Sequence, residues 1–320
     1  MAVLGAFIAL SMAQAAPASA AAAHKHPRVI DTIQVGQGPT GVDVNPVTDR
    51  VYVTDFRADT VSVIDAATDQ VVDTITVGGG PAAVAVNPVT NRIYVACQNA
   101  GIAVIDGVTD TVLTSIPVGS IPDGVAVDKR RNLVYASNLG GGTESVIDGA
   151  TNQVVKTIQI GGSPFGVTVA VDANRIYVGN LGNSTVSVID GATETVIDTI
   201  HQATIFGSNV SLDLTLDRLY VTGTANDIVV IDTTDDSVVT TVPVGAHPTG
   251  VSVNPGTHHA YVPNQDSNSV SVIDGTTDTV VHTLFVQQLP TFVGVNARTN
   301  RVYVSNQDSA SVSVIKDTRH

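Results

Sequence analysis

Polar and apolar positions along this 320-residue chain fall into short β-like runs, each closed by Gly, Pro, Asn or Asp. Between residues 41 and 77 the runs are Gly41–Val44, Arg50–Thr54, Thr60–Ile64 and Gln70–Val77. Their apolar members are mostly Val and Ile, which suit a pleated, packed surface. Turn residues between them predict antiparallel hairpins. The set then repeats. Tyr52, Tyr94, Tyr135, Tyr177, Tyr220, Tyr261 and Tyr303 are the chain's only tyrosines and lie 41 to 43 residues apart. A second landmark, Val-Ile-Asp, ends at Asp65, Asp106, Asp148, Asp190, Asp232 and Asp274, with Lys316 in the seventh slot. Four strands per repeat of about 40 residues predict an all-β, seven-bladed β-propeller of four-stranded antiparallel blades.

The ends of the chain fit that count. The seventh copy stops after Val312-Ser313-Val314-Ile315, three strands in. The missing strand stands at the other end, where 29–35 (Val-Ile-Asp-Thr-Ile-Gln-Val) matches 71–77 (Val-Val-Asp-Thr-Ile-Thr-Val). The N-terminal strand is therefore expected to complete the last blade, placing the propeller over 28–316 with a tail at 317–320. Residues 1–20 read differently. An apolar stretch from Ala2 to Met12 precedes Ala16-Pro17-Ala18-Ser19-Ala20, a small-residue segment with A-x-A cleavage patterns, so a signal peptide is expected, cut after Ala20. No Lys or Arg precedes the apolar stretch. Residues 21–27 read as a disordered linker, and no later run has the ~18 apolar residues of a membrane span.

Composition narrows the partners. The net charge is −14, which disfavours nucleic acid and anionic lipid. Cys97 is the single cysteine, so no disulfide can form within the chain. Motifs for covalent haem, nucleoside triphosphates, dinucleotides and the serine-hydrolase elbow are absent from the sequence.

The copies Tyr52-Val53-Thr54-Asp55, Tyr177-Val178-Gly179-Asn180, Tyr261-Val262-Pro263-Asn264 and Tyr303-Val304-Ser305-Asn306 resemble the YVTN family of β-propeller repeats over about residues 28–316. That resemblance implies a seven-bladed propeller of an exported bacterial or archaeal protein, secreted or at the cell surface. It transfers no catalytic motif.

Repetition separates architecture from chemistry. One Asp per blade at the outer turn cannot gather into one site, and an Asp there can accept turn N–H groups. Arg50, Arg92, Arg175, Arg218 and Arg301, two residues before a tyrosine, read as blade-level contacts. The tyrosines should pack between blades with their hydroxyls partnered. Asp43, Ala85, Ala126, Thr168, Ser211, Ser252 and Gly294 share one slot and should ring the axis. His258 and His259 fall in an underside turn and read as solvated.

Function is sought where the copies disagree. The ligand-binding candidates, all assigned to the top face, are Phe56, Arg57, Asp123, Phe165, His201, Phe206, His247 and Phe292. Asp55, Asp59, Glu144, Asp227, Asp266 and Asp308 join them as polar top-face positions. The expectation is an exported, monomeric, non-enzymatic binding or scaffold propeller that engages a protein, glycan or small ligand without a cofactor. The alternative is a lactonase- or lyase-like enzyme with a top-face site, where carboxylates could hold a divalent metal; a separate two-histidine metal site at His201 and His247 would still need a third ligand such as Asp123 or Asp227.

Overall fold

The computed structural model describes residues 26–202 and 205–318, so the segment assigned to a signal peptide lies outside the described residues. Seven four-stranded antiparallel sheets are arranged in sequence around one axis. Blade 1 (39–76) shows the plan: Pro39–Asn45 innermost, then Arg50–Asp55, Thr60–Asp65 and, outermost, Gln70–Thr76. Blades 2 to 6 span 81–116, 122–159, 164–201, 205–243 and 252–285. Blade 7 takes three strands from 290–316 and its outer strand from Arg28–Gln34, which pairs antiparallel with Ser311–Lys316.

The closing strand copies the outer strands of the other blades in register as well as position. In blade 1, Val71, Asp73 and Ile75 lie opposite Ile64, Val63 and Val61. In blade 7, Val29, Asp31 and Ile33 lie opposite Ile315, Val314 and Val312, with the bulge at the same place.

Turn chemistry sets the hairpins. Most inner and outer turns end on Asp or Asn in the left-handed region, such as Asp49 (φ 54°), Asp69 (φ 55°) and Asn91 (φ 51°), which those residues tolerate best among non-glycines. The outer-turn aspartates act as capping acceptors, as expected. Asp65 Oδ1 accepts from the N–H of Ala67 at 2.9 Å, and Asp274 Oδ1 from that of Thr276 at 2.8 Å.

The core lies between blades. All seven tyrosines are fully buried. Tyr52 of blade 1 packs in one cluster with Val84, Val86, Ile93 and Val95 of blade 2. Partnering of the hydroxyls is uneven. Tyr177 reaches Asp236 at 3.4 Å, whereas those of Tyr52, Tyr94 and Tyr220 have no hydrogen-bond partner among the described residues. Tyr220 instead lies against Gly275 in the next blade, where an added Cβ would stand 2.5 Å from the hydroxyl. Arginines two residues before the tyrosines link or brace blades. Arg175 reaches Asp236 of blade 5 at 3.0 Å, Arg301 reaches Asp69 of blade 1 at 2.5 Å, and Arg92 pairs with Asp106 of its own blade at 3.0 Å.

The underside histidines are held by carboxylates, His259 in the interior and His258 partly exposed. His259 is buried, with Nδ1 2.8 Å from Asp317 Oδ1, and His258 Nδ1 lies 2.8 Å from Asp213 Oδ2. Blade 6 has His259 where blades 1, 2, 4, 5 and 7 carry Arg, and the partner carboxylate is that of Asp317, just past the third strand of blade 7. Among the described residues no helix is long and apolar enough to cross a membrane.

Candidate functional site at the channel mouth

Strand direction puts the blade-to-blade connections and the loops between second and third strands on one face. They are tied there by main-chain bonds such as Phe56 N to Gly38 O at 2.9 Å. At the centre of that face lies a mouth of about 310 Å³. Two repeat slots supply most of its wall. The residue after each blade-start proline gives Thr40, Ala82, Asp123, Phe165, Thr249 and Thr291. The residue after each second strand gives Phe56, Gln98, Leu181 and Gln307, and Phe292 completes the lining.

The wall is less polar than its composition implies, because threonine hydroxyls are consumed behind it. Thr40 Oγ1 donates to Ala82 O at 2.9 Å, Thr249 Oγ1 donates to Thr291 O at 2.9 Å, and Thr291 Oγ1 bonds Ser305 Oγ at 2.9 Å. What faces the cavity is methyl groups, three phenylalanines and a few polar handles. Asp123 is one of them. Only 6% exposed, it accepts one hydrogen bond at Oδ2, from Gln98 Nε2 at 2.6 Å, and burial raises its pKa against that bond.

The mouth opens onto an axial channel of about 330 Å³, which Asp123, Phe165 and Phe292 also line. Asp43, Ala85, Ala126, Thr168, Ser211 and Ser252 ring it, as their shared slot predicted. Asp43 links blades: its Oδ1 accepts Val44 N–H and its Oδ2 accepts Val86 N–H of blade 2, both at 2.7 Å. Burial pushes its pKa up to about 6 against those two bonds.

Of the eight candidates, Phe56, Asp123, Phe165 and Phe292 converge on the mouth. Three stand away from it. Arg57 is exposed on the rim, 3.2 Å from Asp308 across the blade 1–blade 7 junction. His247 is exposed and 3.7 Å from Asp266. His201 ends the outer strand Thr195–His201 of blade 4, opposite Thr185, and is exposed. Residue 206 belongs to the strand Ile205–Asp213, but its side chain lies outside the described residues. No group of three His, Cys, Asp or Glu side chains suited to a metal ion occurs among the described residues. Cys97 is buried, and that burial pushes its thiol up to about 11, far from a reactive thiolate.

Two carboxylates assigned to the top face are interior groups. Asp55 is fully buried and accepts from Thr60 and Ser62 at 2.9 and 2.8 Å. Burial still raises its pKa to about 6. Glu144 is more extreme. It sits in the third strand of blade 3, in the slot that is Val or Ile in the other six blades. It is fully buried, with Ser137 Oγ 2.8 Å from Oε2 and no partner for Oε1. Burial drives its pKa up to about 8.

A raised carboxyl pKa contributes stability that is complete below the unfolded value and is lost as pH climbs through the folded one. Glu144 should therefore cost stability progressively from about pH 4.5 to 8. Replacing it together with its partner, Glu144→Ile with Ser137→Ala, recreates the Ala96–Ile102 pair of blade 2. This variant should be more stable by roughly 2–4 kcal/mol at pH 9, from an unsatisfied buried charge removed, with a smaller gain at pH 5. Thermal melts at the two pH values check it; a gain that does not depend on pH would show that Glu144 is not the titrating group.

No family model and no curated protein matches the chain. Among solved structures, one titled Kuenenia stuttgartiensis Hydrazine Synthase is similar, with a TM-score of 0.80 and 18% identity. The match covers 88% of this chain and 96% of that one. Likeness at that identity shows the seven-bladed propeller fold and carries no activity across.

Proposed function

We propose that this chain is an exported, non-enzymatic binding propeller of the YVTN type that holds a small ligand, or a side chain of a larger partner, in the channel mouth. One observation carries the reading: Phe56, Phe165 and Phe292, from three different blades, line the same cavity beside a buried carboxylate. Elsewhere in the fold the slots of Phe165 and Phe292 hold small or polar residues and the slot of Phe56 polar or aliphatic ones, and the chain has only six Phe in all. Aromatic walls with a few placed polar groups describe small-molecule sites, and 310 Å³ lies at the small end of their ~300–1,000 Å³ range. The mouth supplies one carboxylate and two carboxamides, with no His, Cys or Lys in its lining, which favours holding a ligand over general acid–base work.

Ligand-observed NMR against a mixed fragment set of amines, acids, sugars and aromatics tests the reading. Several fragments should bind the wild type, and their signals should vanish in Phe165→Ala/Phe292→Ala. Signals that persist in that variant would place binding elsewhere and sink the proposal. The export part rests on the apolar 2–12 segment and the Ala-rich stretch after it. Protein recovered from the medium should begin at Ala21; an intact Met1 terminus on cytoplasmic protein would contradict export.

A further inference from the structure

The charge pattern along the axis narrows the ligand class. Among the described residues, Asp123 and Asp43 are the only charged side chains lining the mouth and the channel below it, and both are acidic. They differ in what they have left to offer. Both oxygens of Asp43 are occupied by main-chain N–H groups. Asp123 has spent only Oδ2, and Oδ1 accepts no hydrogen bond from the described residues. A nearly buried carboxylate with one oxygen open to the cavity, and no cationic side chain in the surrounding wall among the described residues, favours a cation at that point.

The rest of the wall says what kind of cation. A bare ammonium carries three N–H donors and keeps its hydration shell unless every one is met. Here the threonine hydroxyls are engaged inside the wall and Gln98 is tied to Asp123 through its Nε2; the acceptors that remain are Asp123 Oδ1 and the carboxamide oxygens of Gln98 and Gln307, against a wall that is otherwise apolar. Three phenylalanines, with Leu181 and Ala82, present the apolar surface. A methylated ammonium needs few acceptors, offers C–H surface to aromatic rings, and is attracted to their faces by the ring quadrupole. Resting on the mouth as the binding site proposed above, we infer that the ligand carries a methylated or quaternary ammonium group, held between Phe56, Phe165 and Phe292 with its charge toward Asp123.

Calorimetric titration of the full chain with choline and with its neutral carbon isostere, 3,3-dimethylbutan-1-ol, isolates the charge. Choline should bind at least about tenfold tighter than the isostere. Asp123→Asn, which retains an acceptor for Gln98, should remove that preference. Phe165→Leu/Phe292→Leu keeps the wall apolar without the rings and should weaken choline by about tenfold while leaving the isostere nearly unchanged. A peptide bearing trimethyl-lysine forms a further arm; if it binds more tightly than choline, the ammonium group is borne on a protein, and if less tightly, on a free small molecule. Equal binding of choline and the isostere overturns the ammonium inference and leaves the apolar site standing. Absence of choline binding alongside mouth-dependent fragment hits does the same. Absence of both sinks the site itself.

Discussion

A chain lacking residues 28–36 melts about 10–20 °C below the full-length protein, or fails to fold at all. The strand Arg28–Gln34 is the outer strand of blade 7, so it ties the N-terminal end of the ring into the blade built by the C-terminal end. Its removal uncovers Val312 and Val314, now fully buried, and discards Ile33, which packs with them and with Val42 and Val44 of blade 1. Val29 is lost from the neighbouring cluster around Val302 and Ile315. Burying side chains of this size is worth ~1.5–3 kcal/mol each, and the freed edge of Ser311–Lys316 also loses its ladder. The sum is roughly 5 kcal/mol or more, and each kcal/mol moves the midpoint of a domain this large by ~2–4 °C. Ile33→Ala is the milder form, expected to cost about 2–4 kcal/mol through the cavity it leaves. Denaturant titration of both variants checks the account; a deletion with an unchanged midpoint would mean that the ring is held shut some other way.

Asp317→Ala is expected to cost about 3–5 kcal/mol, a large loss for a residue that lies past the last strand. Its carboxylate is buried and serves three groups of blade 6. His259 Nδ1 lies 2.8 Å from Oδ1, and Asn254 Nδ2 and Thr257 Oγ1 each donate to Oδ2 at 2.6 Å. Its own N–H donates to Asn300 O at 2.9 Å. Removing one partner of a buried, hydrogen-bonded pair leaves the others uncompensated, hence the size of the effect. Although burial works the other way, the His259, Thr257 and Tyr261 contacts hold the Asp317 carboxyl below its ordinary pKa. A lowered carboxyl pKa contributes stability that is present above the unfolded value near 3.8 and is lost as pH falls through the folded value. The variant should therefore melt well below the wild type at pH 6–7, with the gap narrowing toward pH 3. A gap that stays constant with pH would show that the carboxylate is not what holds blade 6 to the end of the ring.

The fold was legible because its signals repeat. Tyr-centred strands, Val-Ile-Asp turns and the matching runs at 29–35 and 71–77 carry blade count, strand order and closure in the same register that the structure shows. The site was legible only in part. Phe165 and Phe292 stand out as departures from their slots, and they do meet at the mouth. Gln98, Leu181 and Gln307 were missed, although they share the slot of Phe56; polar and aliphatic residues there look like ordinary loop positions. Glu144 was misplaced for a different reason. It stands next to a top-face loop in the chain, but strand alternation turns its side chain into the blade 3–blade 4 interface, as the Val and Ile of its sibling slots imply. His259 looked like a turn residue because its partner, Asp317, lies 58 positions away. Pairings across the closure are invisible to local pattern.

The small number of phenylalanines makes the central claim directly measurable. In protein labelled with ¹³C-phenylalanine, each fragment that binds can be mapped by the aromatic resonances it shifts, with Phe285, 79% exposed on the outer rim, as an internal control. The account predicts that Phe56, Phe165 and Phe292 shift together and saturate with one affinity while Phe285 stays still. Binding that shifts Phe285 and leaves the three mouth residues unmoved would contradict it.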